Sequence, residues 1–261
     1  MLVDSHCHLD FPDFAAERDA VVARALGAGV GRMVTISTRV RRFAEIRAIA
    51  EAYPQVYCSV GTHPHNAAEE PDVTADELVR LASHPKVVAI GEAGLDYFYD
   101  HSPRETQASG LRTHIAAARM TGLPLVIHAR DADDDMAAIL EDETGKGAFP
   151  FVLHCFSSGR GLAETGIALG GYVSFSGILT FKRSDILRDI ARVLPPERLL
   201  VETDAPYLAP QPWRGKRNEP AYVKETARVL ADTIGVSEDE IAAITTRNFF
   251  RLFSKMPQDG L

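Results

Sequence analysis

Eight short apolar or β-branched runs alternate with longer helical patterns along the chain, and no other sequence feature constrains the fold as strongly. The runs predict strands at Leu2–His8, Arg32–Ser37, Val56–Gly61, Val87–Glu92, Pro124–His128, Phe151–His154, Tyr172–Ser176 and Leu199–Thr203. Helical patterns fall at Ala15–Leu26, Arg41–Ala52, Asp76–Ala82, Pro103–Thr121, Asp134–Glu141, Gly161–Ala168, Asp185–Val193, Ala221–Ile234 and Glu238–Phe253. Parallel strands need crossover connections of this length, so the pattern describes βα units around a parallel sheet. Thr74 to Glu77, Ser102 to Glu105 and Ser237 to Glu240 each read as a capping box, the second with Pro103 at the first helical position.

The chain has 261 residues, near the roughly 250 of one TIM (β/α)8 barrel. No long linker, internal repeat or low-complexity segment divides it, so residues 1–261 read as one domain. An open doubly wound sheet alternates in the same way, and only the placement of the polar residues separates the two folds.

That placement is regular. His6 and His8 end the first predicted strand, His63 and His65 follow the third, and Glu92, His128, His154 and Asp204 sit at the ends of the fourth, fifth, sixth and eighth. In a barrel those carboxyl ends converge on one face, where barrel enzymes place their active sites. Strand alternation predicts that His6 and His8 point together into the mouth while Val3 and Cys7 face the helices. It likewise predicts Val88, Ile90 and Glu92 inward, and Leu200, Glu202 and Asp204 inward.

Imidazoles with carboxylates suit divalent ions such as zinc, manganese, iron or nickel, and this many histidines favour a transition metal over magnesium at some positions. His6, His8, Glu92, His128, His154 and Asp204 would crowd one ion and suit two about 3.5–4 Å apart, with Glu92 as the natural bridge. An inward Glu202 beneath Asp204 needs a partner, which predicts a hydrogen bond to a ligand or to water. His84, His101 and His114 lack strand-end placement and read as ordinary histidines. Cys7 and Cys155 fall on the helix side by parity and read as small core residues. The loop Ala209–Pro220 is expected to overhang the site, where Arg214, Lys216 and Arg217 could clamp phosphate and Trp213 could stack on a base.

A net charge of −8 argues against an electrostatic grip on long nucleic acid, although metal ions would supply local positive charge. Three scattered cysteines suggest no disulfide framework, and no stretch reaches membrane-spanning length. The reading is a cytoplasmic protein without membrane association or an obligate protein partner.

Six segments together resemble the TatD-type metal-dependent deoxyribonucleases of the amidohydrolase superfamily. They are Asp4-Ser5-His6-Cys7-His8-Leu9-Asp10, Gly61-Thr62-His63-Pro64-His65, Gly91-Glu92-Ala93-Gly94-Leu95-Asp96, Ile127-His128-Ala129-Arg130, His154-Cys155-Phe156-Ser157 and Glu202-Thr203-Asp204-Ala205-Pro206-Tyr207, with Arg214 to Pro220 as a further match. The resemblance spans nearly the whole chain. It implies a TIM barrel with His6, His8, Glu92 and Asp204 around one divalent ion and Glu92, His128 and His154 around another. It further implies hydrolysis of phosphodiesters at single-stranded DNA or RNA ends, often 3′–5′ and often supported by magnesium. His63, His65 and Glu202 match positions near the substrate phosphate and the metals.

The corresponding mechanism has Asp204 as base, with His63 and the basic loop stabilising charge on the phosphoryl oxygens. Two alternatives remain open on sequence. One is a hydrolase of a small ester, amide or phosphoester, or of an aminoacyl ester on tRNA in the manner of a D-aminoacyl-tRNA deacylase. The other is a non-catalytic binding protein on the same scaffold.

Overall fold

The computed structural model describes residues 1–258. Its eight strands pair in parallel in sequence order: β1 Leu2–Cys7, β2 Val30–Thr35, β3 Val56–Val60, β4 Val87–Asp96, β5 Leu125–Arg130, β6 Phe151–Leu153, β7 Tyr172–Phe175 and β8 Leu199–Val201. The first and last strands meet just beyond β8. Thr203 N donates to Asp4 Oδ1 (2.8 Å), Asp204 N to His6 O (2.9 Å) and His8 N to Ala205 O (2.8 Å). These bonds bring the sheet round into a nearly closed barrel, and the doubly wound alternative falls away.

Ten helices cover the barrel or cap its lower end among the described residues: α1 Pro12–Ala15, α2 Arg18–Gly27, α3 Phe43–Ala52, α4 Ala75–Ala82, α5 Arg104–Thr121, α6 Asp133–Lys146, α7 Arg160–Ala168, α8 Asp185–Val193, α9 Val223–Ile234 and α10 Glu238–Leu252. The predicted first helix is therefore two, a single turn and then α2. Thr74 and Ser237 cap α4 and α10 by accepting from the amides of Glu77 and Glu240, as expected. Ser102 does not cap α5. Pro103 takes the cap position, while Ser102 Oγ donates to His65 O (2.9 Å) and accepts from Ala68 N (3.0 Å).

The barrel interior holds one apolar layer with a contributor from every strand: Val3, Val34, Tyr57, Val88, Val126, Val152, Tyr172 and Leu200. Phe249, Phe250 and Phe253 of the C-terminal segment join the same cluster and plug the lower end. Burying each such side chain stabilises by roughly 1.5–3 kcal/mol, which makes the bottom of the barrel its structural end and leaves the top free for polar groups.

Two parity expectations are corrected. Val3 faces into the barrel, because the β1–β2 register shifts between Leu2 and Val3 and again between Asp4 and Cys7. Ile90 packs outward among the helices, and the β4–β5 register is irregular between Gly91 and Ala93. That irregularity turns Glu92 inward, as bulges re-aim side chains. Gly91 permits it: its φ is +105°, and a Cβ there would lie 2.7 Å from Val126 O. β4 also runs past Glu92 to Asp96, so the strand ends on a second carboxylate.

Candidate metal centre

Glu92 lies at the middle of a cluster of imidazoles, and its two oxygens face different partners. Near Oε2, His6 Nε2 is 3.4 Å away; the same His6 nitrogen is 3.2 Å from His8 Nε2 and 3.5 Å from Asp204 Oδ1, which is itself 3.4 Å from His8 Nε2. Ligands at about 2.1 Å around a tetrahedral ion stand about 3.4 Å apart, so these donors have the spacing of a coordination shell. Glu92 Oε2 and His6 Nδ1 are buried without a hydrogen-bond partner. An orphaned carboxylate oxygen at such a depth is costly and is relieved by a cation. The donor set therefore fits a divalent metal.

Oε1 faces the other way. It lies 2.9 Å from His128 Nδ1, 2.7 Å from His154 Nε2 and 3.4 Å from His63 Nε2, and the His128 and His154 nitrogens are 3.4 Å apart. Each ring's second nitrogen tells whether the inner one has a lone pair to give. His154 Nδ1 faces Glu202 Oε1 (3.1 Å), His128 Nε2 faces Asp96 Oδ2 (2.9 Å) and His8 Nδ1 faces Ile36 O (3.3 Å). All three outer partners only accept, so the outer nitrogens keep their hydrogens and the inner ones are those that would turn a lone pair to an ion. His63 is the reverse: its Nδ1 accepts from the His65 amide (3.0 Å), which leaves the hydrogen on Nε2. His63 is thus a hydrogen-bond donor toward the centre. Although it stands close enough to Glu92 and His128 to form a three-residue cluster, its neutral ring has no lone pair left for an ion.

The electrostatics describe the cluster before a cation enters, when protons on the rings offset the carboxylates. Burial alone would raise the Glu92 carboxyl, but His154, His63 and His128 hold it well below the usual range. Burial likewise opposes ionisation of Asp204, yet His8 and His6 hold it down. His154 is pushed well above an ordinary imidazole despite its burial, chiefly by Glu92 and Glu202. His63 goes the other way, its burial outweighing Glu92, and stays neutral.

The cluster opens into a cavity of about 1060 Å³. Its lining includes His8, His63, His65, Glu92, His128, His154 and Asp204. Glu202 lies beneath, bonded to His154 and to the Cys155 amide (2.8 Å), so it holds a ligand candidate and does not reach the cavity. The basic loop is placed differently from expectation. Arg214 lies over the Phe181 ring (3.8 Å), Lys216 over Trp213 (5.3 Å), and Arg217 pairs with Glu17 (2.9 Å); none of the three lines the cavity. Trp213 is stacked on Tyr222 (4.7 Å). The cause is Asn218, a buried side chain whose amide donates to Thr203 O (2.9 Å) and Tyr207 O (2.6 Å) and pins the loop beside β8.

Other residues take those places. Arg39, Arg42 and Arg130 line the cavity; the first two pair with Glu69 and Glu45, while Arg130 lies over Phe98 (4.1 Å) and Tyr99 (4.8 Å). Phe11 and Tyr207 stand on one wall, Tyr99 and His101 on another. His101, read from sequence as ordinary, thus belongs to the rim. His84, bonded to Glu51, and buried His114 stay outside, as expected. Cys7 packs among the helices, but Cys155 does not: its φ is +42°, and its Sγ lies 3.1 Å from Ser176 Oγ. Asp96 and Arg130 stood within the motifs named above, but the predicted strands stopped at Glu92 and His128, and only the longer β4 and β5 put them at strand ends.

A profile of the family described as "TatD related DNase" matches residues 3–254. The Escherichia coli K12 protein named "Uncharacterized metal-dependent hydrolase YcfH" is 43% identical over 257 residues, covering 97% of this chain and 95% of its own length. Bacillus subtilis YabD, described in the same words, is 39% identical over 256 residues, covering 97% and 99%. The crystal structure of the Escherichia coli TatD homologue YjjV superposes with a TM-score of 0.90 at 33% identity, covering 98% of each chain. With that coverage, and with buried histidine and carboxylate donors spaced for a cation, the chain belongs to the TatD family and is a metal-dependent hydrolase.

Proposed function

We propose that the protein hydrolyses phosphodiester bonds at the ends of single-stranded DNA, with RNA as a related substrate, using two divalent ions that share Glu92. The observation that carries the reading is the division of Glu92 between two donor sets. His6, His8 and Asp204 would hold one ion with Oε2, and His128 and His154 the other with Oε1. Ions in those places supply Lewis-acid polarisation of a phosphoryl oxygen and acidify a water.

The chain's own groups do the rest. Asp204 takes the proton of the attacking water as the new P–O bond forms, and returns it to the departing oxygen as the old P–O bond breaks. His63 offers its Nε2 hydrogen to the charge gathering on phosphoryl oxygen. Arg130, without an ion pair among the described residues, is the cavity guanidinium most available to a phosphate. Phe11, Tyr99 and Tyr207 present ring surface to bases, which favours an unpaired strand over a duplex.

The test is degradation of end-labelled single strands by protein of measured metal content, alongside duplex DNA, small esters and misacylated tRNA. Faster turnover of the single strand, abolished by chelation and by Asp204→Asn, is the expected result. Turnover of the esters or tRNA with every nucleic acid strand left intact would remove the nuclease reading.

A further inference from the structure

Asp96 closes β4 four residues beyond Glu92, and its side chain is fully buried. One oxygen, Oδ2, faces two imidazoles at once, His128 Nε2 at 2.9 Å and His65 Nε2 at 2.8 Å. The other, Oδ1, accepts from the Tyr99 amide (2.9 Å). The backbone around it is held as firmly. Asp96 N donates to Gln107 Oε1 (2.7 Å), Gln107 Nε2 donates to Ser102 O (2.8 Å), and Ser102 Oγ donates to His65 O (2.9 Å). This circuit ties the start of α5, the end of β4 and the turn carrying His65 into one unit. It also explains why Ser102 is taken from its helix cap.

We infer that Asp96 is a positioning residue that fixes two imidazoles with different duties, His128 toward the metal centre and His65 toward the substrate. An ionised carboxylate only accepts, so each neutral ring carries its hydrogen on Nε2 and keeps its lone pair on Nδ1. For His128 that lone pair would meet an ion held on the Glu92 side, as a ligand requires. For His65, Nδ1 has no hydrogen-bond partner among the described residues, and the ring lines the cavity. His65 therefore offers a bound molecule an acceptor. It selects a hydroxyl or an N–H of the substrate, whereas an anionic phosphate oxygen would meet lone pair against lone pair. Two histidines two residues apart in sequence, His63 and His65, are thereby set with opposite polarity, donor and acceptor, over the same cavity. Because one oxygen serves both rings, a change at Asp96 disturbs the metal side and the substrate side together. The metal side of the inference rests on the proposed role of His128.

The experiment is long-range proton–nitrogen correlation on the histidine rings of the wild-type protein, metal-free and zinc-loaded, with zinc titrations of Asp96→Asn and His65→Gln. In the zinc-loaded protein both His65 and His128 should appear as Nε2–H tautomers. Asp96→Asn, whose amide can also donate, should lower zinc affinity about 10- to 100-fold. His65→Gln should leave zinc affinity within about 2-fold, since it touches no ligand donor. An Nδ1–H tautomer at His65 in the wild type would overturn the inference, as would a folded Asp96→Asn protein with unchanged zinc affinity. Should wild-type protein bind no divalent ion, the metal reading fails by itself, and the His65 tautomer still decides whether Asp96 fixes that ring.

Discussion

His114 on α5 is a buried imidazole whose two nitrogens are both spoken for, and it makes stability depend on pH in a calculable way. Nδ1 donates to Gly110 O (2.7 Å) and Nε2 accepts from Thr62 N (3.0 Å). Protonation would set an N–H against the Thr62 N–H, and burial pushes the ring down to about 4 from an ordinary 6.5. Between those values the unfolded chain takes up a proton that the native protein does not. Stability is then present in full above pH 6.5 and falls as the pH drops toward 4. From the two values, the contribution lost on going from about pH 8 to about pH 5.5 is RT ln(11/1.03), about 1.4 kcal/mol, which corresponds to some 3–6 °C in Tm for a chain of this size. The perturbation is His114→Gln, which keeps a donor and an acceptor but does not titrate. Metal-free wild type and variant are unfolded in urea at both pH values, and the gap between them is compared. The histidines of the metal centre titrate equally in both proteins and cancel in the difference. The wild-type advantage should shrink by about 1.4 kcal/mol at the lower pH. A gap that stays constant, or widens, would refute a neutral buried His114.

Three further outcomes follow from the centre itself. Glu92→Gln should reduce bound metal and slow hydrolysis by more than the ~100-fold typical of losing an outer partner, checked by elemental analysis and single-turnover rates; retention of two ions would count against the bridge. Glu202→Gln replaces the ionised acceptor of His154 Nδ1 and should weaken metal binding about 10- to 100-fold, read by competition with a chromophoric chelator. Arg130→Ala should weaken single-strand binding and lessen the slope of log affinity against log salt by about 0.7, the value for one phosphate contact; an unchanged slope places Arg130 away from the phosphates.

The fold and the ligand candidates were legible because both follow from local rules. Alternating strand and helix patterns define βα units, and strand ends in a barrel converge whatever the intervening loops do. So His6, His8, Glu92, His128, His154 and Asp204 are brought together as the spacing implied. Simple alternation misplaced Val3 and Ile90 because irregular pairing shifts the side-chain period, which no short window of sequence encodes. The basic loop failed for a comparable reason: charge and position suggested an overhang, while the buried Asn218 anchor draws Arg214, Lys216 and Arg217 away from the cavity.

What the sequence by itself determined was the inventory of chemical groups and the face of the barrel on which they gather, since both depend on residue type and strand order. Only the tertiary structure decided the hydrogen-bond partner on the far side of each ring. Glu202 and Asp96 make His154 and His128 available as ligands, while the His65 amide makes its neighbour His63 a donor. A histidine's tautomer is set by contacts across the fold, so identical side chains in one cluster take opposite roles.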